Sequence, residues 1–301
     1  MKEKYIDIII PFADSINQLS RTIKSLNSQH EFIDKLIIIA SGKSKNLLLV
    51  QLNKLRKKSE FLYSLEISLD ENSYPTAASA RNKGFLISKS KYIGFMDSGM
   101  IANKNWLSSF YLIKEKKFIR LGCTSYNPGN GKKLISSLLT YGTRVSLNTV
   151  PGTIIASSHF VPFNESLRYG EDIIWMDNYK EYFNKYLQYQ SNYIFFSEKV
   201  LCSIKKYYTQ LSEAIKIKST YKKSIYTYTL FSIIVYLTFF VLIFYNLKLS
   251  FCFLFLYLIF RFLKKNKLKY LFSFEGLIIL PIQIILDYIR INVFIKNLIE
   301  K

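Results

Sequence analysis

Residues 76–100 read TAASARNKGFLISKSKYIGFMDSGM and predict a helix followed by a buried strand. Thr76 or Ser79 can begin the helix, and Lys91–Met96 forms the strand, which runs into an acid, Asp97. A short apolar run of this kind is typical of parallel sheets that are covered on both faces. Ligands of such sheets bind at the carboxyl ends of the strands. The stretch therefore predicts an α/β fold with a polar site beside Asp97.

The segment before this stretch repeats the alternation of strand and helix. Short apolar runs predict the strands, and amphipathic runs between them predict the helices. This alternation favours a mostly parallel sheet with helices on both faces. The predicted strands cover residues 5–10, which Pro11 ends, residues 35–40 and residues 61–67.

The next hundred residues have a mixed pattern. Residues 103–116 and 170–186 have the periodicity of helices. Residues 127–131 (NPGNG) and 150–152 (VPG) have the composition of turns. The regular alternation of the first hundred residues is therefore not continued here.

The composition limits the classes of protein. The chain has 301 residues, of which 50% are apolar and 16% aromatic, and this excludes a disordered protein. Its formal net charge of +21 indicates a polyanionic partner, such as nucleic acid, an anionic membrane surface or a phosphorylated ligand. The cysteines Cys123, Cys202 and Cys252 lie far apart, so the sequence predicts neither a zinc site nor a disulfide framework.

The last third of the chain predicts membrane helices. Residues 224–247 carry no charge, and a membrane-spanning helix needs about 20 apolar residues. Residues 249–260 form a second uncharged run, which Arg261 can lengthen by snorkelling. A third run, residues 276–286, contains Pro281 and fits a third span, a re-entrant piece or an interfacial helix.

Basic residues around these runs predict their orientation. Lysines are dense in residues 204–223 and again after Arg261, whereas the loop between the first two runs has only Lys248. Because basic flanks stay cytoplasmic, the two runs predict a hairpin in a multi-pass protein of the cytoplasmic membrane, with the N-terminal domain in the cytoplasm. The basic stretch predicts contact with anionic lipid, and no nucleic acid partner is predicted because no RNA-binding signature accompanies it.

Four segments in this order resemble the family 2 glycosyltransferases of the GT-A fold. The resemblance rests on the ARNKG sequence, a strand ending in Asp97, Trp106 nine residues later, and Gly-Glu-Asp at 170–172. It covers residues 5–185 and implies a nucleotide-sugar donor. The four segments are residues 7–29, 36–46, 75–107 and 163–181. The implied division is a nucleotide-sugar-binding half (1–100), an acceptor-binding half (101–200), a basic juxtamembrane segment (201–223) and a membrane region (224–301).

The resemblance implies a donor site at the carboxyl ends of the strands. Pro11 turns the chain out of the first strand, where these enzymes place the nucleobase. Arg81 faces the base or a phosphate, although a surface ion pair is the alternative for this residue. Asp97 matches the first acid of the Asp-x-Asp motif, which meets ribose or sugar hydroxyls. Relatives carry an acid at the end of the second strand, where this chain has Ser41, so we expect a donor other than a standard uridine diphosphate sugar.

The metal site of the family is incomplete in this sequence. The last acid of the motif binds Mg²⁺ or Mn²⁺ in relatives, and Gly99 stands in its place without a ligand atom. Three interpretations stay open: Asp97 is the sole carboxylate ligand, the diphosphate is neutralised without metal by Arg81, Lys83 or Lys104, or donor chemistry has been lost. Asp97 could also be a plain helix cap.

The resemblance assigns catalysis to the Glu171–Asp172 pair. Asp172 is implied as the general base that takes the proton from the acceptor hydroxyl, with Glu171 beside it in the site. The alternative is that both acids only favour the start of a helix. No Gln-x-x-Arg-Trp element of processive synthases follows Asp172.

The sequence therefore predicts an inverting transferase of single sugars. The expected acceptor is a lipid-linked or surface glycan at the cytoplasmic membrane face. A non-catalytic relative that binds a nucleotide sugar or scaffolds a glycan-assembly complex is one alternative. A peripheral membrane module that serves as a partner platform is the other.

Overall fold

The computed structural model divides into two compact units, of which the first comprises Met1–Ser125 and Val145–Glu198. The second unit comprises Tyr126–Arg144 and Lys199–Lys301. The residues that the structure describes are 6–13, 15–40, 49–54, 64–71, 75–111, 119–126, 129–139, 142–143, 146–167, 170–183, 187–189, 194–196, 208–209, 211–212 and 220–299.

The described part of the first unit contains a nine-stranded sheet. The strands are β1 (Ile6–Phe12), β2 (Ile33–Ala40), β3 (Ser64–Leu69), β4 (Tyr92–Phe95), β5 (Met100–Ile101), β6 (Ile119–Tyr126), β7 (Ser146–Ala156), β8 (Leu187–Tyr189) and β9 (Ile194–Phe196). Their order is β3-β2-β1-β4-β7-β6-β9-β5, with β8 paired to β6. Strands β3, β2, β1 and β4 are parallel, whereas β7 is antiparallel to both β4 and β6. The predicted α/β class is confirmed.

Helices cover both faces of this sheet. The α-helices of the first unit are α1 (Ile16–Leu26), α2 (Ala77–Ile87), α3 (Trp106–Tyr111) and α5 (Glu171–Phe183), while α4 (Lys132–Leu139) belongs to the second unit. Short 3₁₀ turns lie at Asn27–Phe32 and Ser157–His159. Ile8 and Ile10 of β1 belong to a buried cluster with α1 and α3. Ile9, between them, belongs to a second cluster with α2 and α5. Alternate residues of one strand thus bury against helices on opposite faces, which is why β1 is continuously apolar.

Pro11 lies inside β1, so the prediction that it ends the strand is wrong. Its Cα pairs with that of Ile39 in β2, and the strand continues to Phe12. On the other side the ladder with β4 stops at Ile9, whose carbonyl accepts a hydrogen bond from Met96. In a parallel strand Ile9 and Pro11 face the same neighbour, so the missing N–H of Pro11 points past the end of β4.

Residues 150–152 lie within β7 and not in a turn between elements, as the sequence had suggested. The register between β6 and β7 shifts around Gly122. The Gly122 amide donates to Thr153 Oγ1, and the Thr153 hydroxyl donates to the Thr149 carbonyl. The Val-Pro-Gly sequence therefore forms a bulge, in which Gly152 has a φ of +87°.

The described part of the second unit is helical. It contains α4 (Lys132–Leu139), α6 (Thr220–Tyr245), α7 (Leu247–Lys265) and α8 (Phe274–Ile299), with a 3₁₀ turn at Leu268–Tyr270. Asn246 separates α6 from α7 and caps α7 by accepting a hydrogen bond from the Leu249 amide. The third uncharged run of the sequence lies inside α8, which continues through Pro281 to Ile299.

Helix α4 is tied to the end of α7 and the start of α8. Asn266 Nδ2 donates to the Leu138 carbonyl, and the Lys267 amide donates to Thr143 Oγ1. Leu134 and Leu138 belong to one buried cluster with α6, α7 and α8. The connection between β6 and β7 is therefore a structural part of the helical unit.

Two helices in the described part of the chain are long and apolar enough to cross a membrane. They are Ile225–Tyr245 within α6 and Phe274–Ile299, which is α8. Helix α7, which holds the second predicted run, is not among them and carries Lys248, Arg261, Lys264 and Lys265 in its 19 residues.

The helical unit exposes many large apolar residues and buries several polar ones beside its apolar cluster. Its buried polar residues include Thr229, Ser232, Ser250, Gln283, Asp287 and Arg290. Its exposed apolar residues include Phe231, Leu237, Phe240, Phe244, Phe255, Leu256, Ile285 and Ile299. The helices of a water-soluble bundle usually turn polar faces outward.

Candidate active site

Helix α2 begins at Thr76, one of the two predicted starts, and has a reciprocal cap. Thr76 Oγ1 accepts a hydrogen bond from the Ser79 amide at 3.1 Å, and Ser79 Oγ accepts from the Thr76 amide at 2.9 Å. Ser79 Oγ also lies 2.5 Å from Oδ2 of the buried Asp70, at the end of β3. The cap fixes the first turn of α2 against the sheet edge and places Arg81 in the following turn.

Arg81 is buried between two acids. Its Nη2 donates to Asp97 Oδ1 at 3.0 Å, and its Nη1 lies 3.4 Å from Glu171 Oε1, while only 4% of the side chain is exposed. The guanidinium carbon lies 5.2 Å from the centre of the Phe163 ring. One guanidinium therefore joins three segments that are far apart in the chain.

Asp97 occupies the carboxyl end of β4 and is open to solvent. The Met100 amide donates to its carbonyl at 3.1 Å, so a tight turn follows the residue. Its side chain is 36% exposed, although one oxygen binds Arg81. The other oxygen has no hydrogen-bond partner among the residues that the structure describes. Asp97 can therefore accept hydrogen bonds from a ligand while Arg81 holds it in place.

Glu171 and Asp172 begin α5, whose position is set by large aromatic residues further along. Trp175 Nε1 donates to the Val161 carbonyl at 2.7 Å. The Tyr179 hydroxyl donates to the His159 carbonyl at 2.6 Å. These bonds fix α5 to the segment after β7, so the two acids lie at a rigid helix start.

The structure adds two residues that the sequence interpretation did not single out. Asn82, next to Arg81, binds both main-chain groups of Phe163, donating to its carbonyl at 2.9 Å and accepting from its amide at 2.8 Å. Phe163 stacks on Trp175 with ring centres 4.6 Å apart. Both residues lie inside the four segments of the resemblance, but their pairing across 81 residues has no signal in one sequence.

Burial raises the pKa of both acids at the start of α5. Burial is the main cause for Glu171, and the neighbouring Asp172 raises its pKa further, against the opposing effect of Arg81. Burial also raises the pKa of Asp172, again against Arg81. Burial alone would lower the pKa of Arg81, but the surrounding carboxylates of Asp97 and Glu171 outweigh it and raise the pKa, so this guanidinium stays charged. A carboxylate with a raised pKa is a better proton acceptor near neutral pH.

The described residues around Asp97 offer few protein ligands for a divalent metal. No group of three His, Cys, Asp or Glu residues is placed to hold a metal in the described part of the chain. Gly99 has a φ of +91°, which an L-residue rarely adopts, so an acid at this position would be strained. The Gly99 amide also donates to Thr22 Oγ1 at 2.9 Å, which ties this loop to α1.

The remaining predicted donor residues lie outside the ion cluster. Pro11 is half-buried in β1, and Ser41 lies outside the described residues. Lys83 donates to the Leu69 carbonyl at the end of β3, whereas Lys104 is exposed. Of the predicted site residues, the structure therefore brings together Arg81, Asp97 and Glu171, with Asp172 next to them.

Comparison with known proteins matches residues 7–166 to the model of "Glycosyl transferase family 2", more than half of the chain. The chain belongs to glycosyl transferase family 2. The predicted family and GT-A fold class are thereby confirmed.

Individual relatives of this glycosyltransferase family 2 member are distant. An "uncharacterized glycosyltransferase" of Rickettsia bellii is 28% identical over 193 residues, which are 58% of this chain and 26% of the relative. The chain thus spans about a quarter of that curated relative. Staphylococcus aureus TarS 1–349 in complex with UDP-GlcNAc is 16% identical, with a TM-score of 0.48 over 73% of this chain and 69% of that one.

A second solved structure is glucosyl-3-phosphoglycerate synthase from Mycobacterium tuberculosis, in complex with Mn²⁺, UDP and phosphoglyceric acid. It is 13% identical to this glycosyltransferase family 2 member, and the match covers 71% of this chain and 78% of the synthase chain, with a TM-score of 0.47.

Proposed function

We propose that this chain is an inverting glycosyltransferase that moves a single sugar from a nucleotide-sugar donor to a lipid-linked or surface-glycan acceptor. The donor binds in the half formed by residues 1–100, and the acceptor binds in residues 101–200. The observation that supports the proposal is the convergence of Arg81, Asp97 and Glu171, from three separate segments, in a chain of this family.

Asp172 is the general base of the proposed reaction. Glu171 is paired with Arg81, whereas the only hydrogen bond to the Asp172 side chain from the described residues comes from the Ile173 amide. The Asp172 carboxylate is therefore the one available to take the proton of the acceptor hydroxyl. That oxygen attacks the anomeric carbon while the bond from this carbon to the diphosphate breaks, which inverts the configuration.

Arg81 and Glu171 are positioning residues in this proposal. Arg81 binds carboxylates with one N–H of each terminal nitrogen, so it orients Asp97 and α5. Its remaining N–H groups include Nε, which is buried without a partner among the described residues, and the contact with the donor that the sequence predicts can use them. Asp97 accepts hydrogen bonds from ribose or sugar hydroxyls with its exposed oxygen.

The charge of the cluster limits how a diphosphate can bind. One guanidinium faces three carboxyl groups, and a like-charged ligand nearby is repelled unless cations or protons compensate. Exposed lysines such as Lys104 can supply such positive charge.

The helical unit is the proposed membrane anchor. Large apolar residues on its surface and several buried polar residues support this proposal, since both are expected in lipid. The lysines of residues 204–223 favour a cytoplasmic flank of α6, and we therefore propose that the first unit lies in the cytoplasm. The proposed location is the cytoplasmic membrane, with the glycan acceptor presented at its inner face.

Replacement of the base tests the proposed function. We expect Asp172→Asn to lower sugar transfer by a factor of about 10²–10⁴, the usual contribution of a general base. The measurement is transfer from a panel of radiolabelled nucleotide sugars to lipid extracts in membranes, once with chelator and once with Mn²⁺. Asp177→Asn, the same change elsewhere on α5, is the matched control and should leave transfer unchanged.

Two results would contradict the proposal. Unchanged transfer by Asp172→Asn would remove the base from the mechanism. Failure of the unsubstituted protein to transfer any sugar under both metal conditions would favour the non-catalytic alternative instead.

A further inference from the structure

The buried polar centre of the helical unit is a cluster around Asp287, which is fully buried in the middle of α8. Arg261 Nη1 pairs with Asp287 Oδ2, and Arg290 Nη2 pairs with Asp287 Oδ1 at 2.7 Å. The hydroxyls of Tyr236 and Tyr257 each lie 3.1 Å from Oδ2. Both oxygens of the carboxylate are therefore fully used.

The cluster has one positive charge more than its acid neutralises. Two guanidinium groups share a single carboxylate, and arginine stays protonated in proteins. Charges in apolar surroundings are costly unless they are paired. The excess charge therefore favours an anionic partner that the protein itself does not provide among its described residues.

Both arginines also keep unused hydrogen-bond donors. Among the residues that the structure describes, Arg261 binds with Nη1, to Asp287 and to the Gln283 carbonyl at 2.8 Å, and Arg290 binds with Nη2. Their side chains are 19% and 11% exposed, so both arginines stay partly accessible. Two guanidinium forks with free donors can bind the oxygens of a phosphate.

Gln283 gives an independent indication of a missing partner. Its side-chain Oε1 is buried without a hydrogen-bond partner among the residues that the structure describes. The residue precedes Asp287 by one helical turn and lies on the same buried face of α8 as Arg290. Buried polar groups are normally satisfied, so this unpaired acceptor indicates a hydrogen-bond donor beside the cluster, such as a hydroxyl of a lipid headgroup.

The position of Arg261 indicates where that ligand comes from. Arg261 is the first charged residue after the uncharged run 249–260 and lies about 5 Å along the helix from Lys264. The side chain of Lys264 in turn lies 3.9 Å from the centre of the Tyr228 ring. Basic ends of membrane helices lie among lipid headgroups.

We propose that Arg261 and Arg290 form a binding site for the phosphate group of a membrane lipid. The inference rests on the membrane placement proposed above, but it does not require that the chain transfers sugar. Asp287 competes with the ligand for the two guanidinium groups and neutralises one of their charges, and Gln283 Oε1 accepts a hydrogen bond from a hydroxyl of the same ligand. Free phosphate is the other source of the same chemical group.

The test is lipid selectivity of the full chain in a phosphate-free detergent, measured by native mass spectrometry. We expect phosphatidylglycerol to be retained at least about tenfold more than diacylglycerol with the same acyl chains, because only the first carries a phosphate. Arg290→Gln should remove this preference, and Arg290→Lys should keep part of it. Lys296→Gln, the same loss of charge at an exposed position of α8, is the matched control.

Asp287→Asn separates a phosphate site from a purely structural ion cluster. This change leaves both guanidinium groups and removes the competing carboxylate, so phosphatidylglycerol retention should stay or rise. A parallel loss of retention and of thermal stability in Asp287→Asn and Arg290→Gln would overturn the proposal, as would equal retention of the two lipids by the unsubstituted chain. Thermal unfolding of each variant identifies those that have lost the fold. If Arg290→Gln has lost it, Arg261→Gln takes its place in the test.

Two further measurements show whether the phosphate group comes from a lipid, and whether a negative result concerns this site or the membrane placement. Displacement of phosphatidylglycerol by millimolar inorganic phosphate would assign the site to the phosphate group alone, and resistance would assign it to the whole lipid headgroup. Resistance of the chain to alkaline extraction from membranes reports on the membrane placement by itself. An integrated chain without phosphate selectivity would refute only this site.

Discussion

At the residue scale, the candidate active site keeps three carboxyl groups around one buried guanidinium. Such a group of like charges has an energetic cost that depends on protonation, because burial and repulsion act only on the ionised acids. Glu171 and Asp172 carry this cost, as their raised pKa values show. The contribution of the site to the stability of the folded protein therefore depends on pH.

We expect the two acids to make the protein less stable as the pH rises. A folded-state pKa above the ordinary value of about 4 means that the folded protein binds more protons than the unfolded chain over the interval between the two values. The stabilising effect of these protons is complete below the ordinary pKa and is lost as the pH passes through the raised one. The measurement is the melting temperature of the unsubstituted chain and of Glu171→Gln/Asp172→Asn across this interval.

The double variant should lose less stability with rising pH than the unsubstituted chain. Asp177→Asn again serves as the control, because it changes one carboxylate of α5 outside the cluster. Equal pH dependence in all three proteins would show that the two acids are not protonated differently in the folded state.

Several site residues could be found from the sequence, but their partners could not. The ARNKG sequence and the Gly-Glu-Asp sequence pointed to Arg81, Glu171 and Asp172, because the family keeps these residue types in order. The ion pairs of Arg81 with Asp97 and Glu171 depend on how α2, β4 and α5 meet in space. The conformation of Gly99 was equally hidden, since a positive φ and contact with α1 follow from the folded loop.

At the scale of elements, the start of α2 determines how firmly Arg81 is held. Thr76, Ser79 and Asp70 form one hydrogen-bonded group at the first turn of the helix. A helix that begins in this way has satisfied amide groups where it would otherwise fray. The precision of the candidate site thus depends on a cap that contacts none of its acids.

We expect Thr76→Ala to destabilise the protein by about 1 kcal/mol, the usual effect of losing an N-cap. Fraying of the first turn should also increase the mobility of Arg81 and lower sugar transfer. Thermal unfolding and hydrogen exchange of the α2 amides measure the two effects. Thr76→Ser keeps the hydroxyl and should behave like the unsubstituted chain, so equal losses in both variants would show that the cap is not the cause.

The order of elements in the first hundred residues was predictable because buried parallel strands are continuously apolar. The sequence did not predict the course of the chain at two prolines, one in this segment and one in β7. Pro11 is tolerated in β1 because its missing N–H points past the end of β4. Pro151 lies in a bulge of β7 that the side chain of Thr153 stabilises, which a turn composition alone cannot distinguish from a loop.

At the scale of the whole molecule, the two units do not follow the linear order of the chain. The segment Tyr126–Arg144 belongs to the helical unit, although the chain before and after it belongs to the sheet. The uncharged runs of the last third were visible in the sequence. The recruitment of α4 was not, because its packing partners lie more than a hundred residues away.

We expect a chain cut after Glu198 to aggregate, because Leu134 and Leu138 of α4 would lose the cluster that buries them. Light scattering after size-exclusion chromatography measures the outcome. Leu134→Gln/Leu138→Gln in the shortened chain should restore a monomer. The same pair in the full chain should lower its stability, since removal of one buried leucine side chain commonly costs about 2–5 kcal/mol. A monomeric shortened chain without substitutions would contradict this prediction.

The placement of α4 also has a consequence for biosynthesis. Leu138 accepts its hydrogen bond from Asn266, which lies 128 residues later in the chain. At a translation rate of about 5–20 residues per second, α4 leaves the ribosome on the order of ten seconds before that partner. During this interval the leucines of α4 lack the later helices that bury them in the finished protein, so any pairing of β6 with β7 occurs while the segment between these strands is still unpacked.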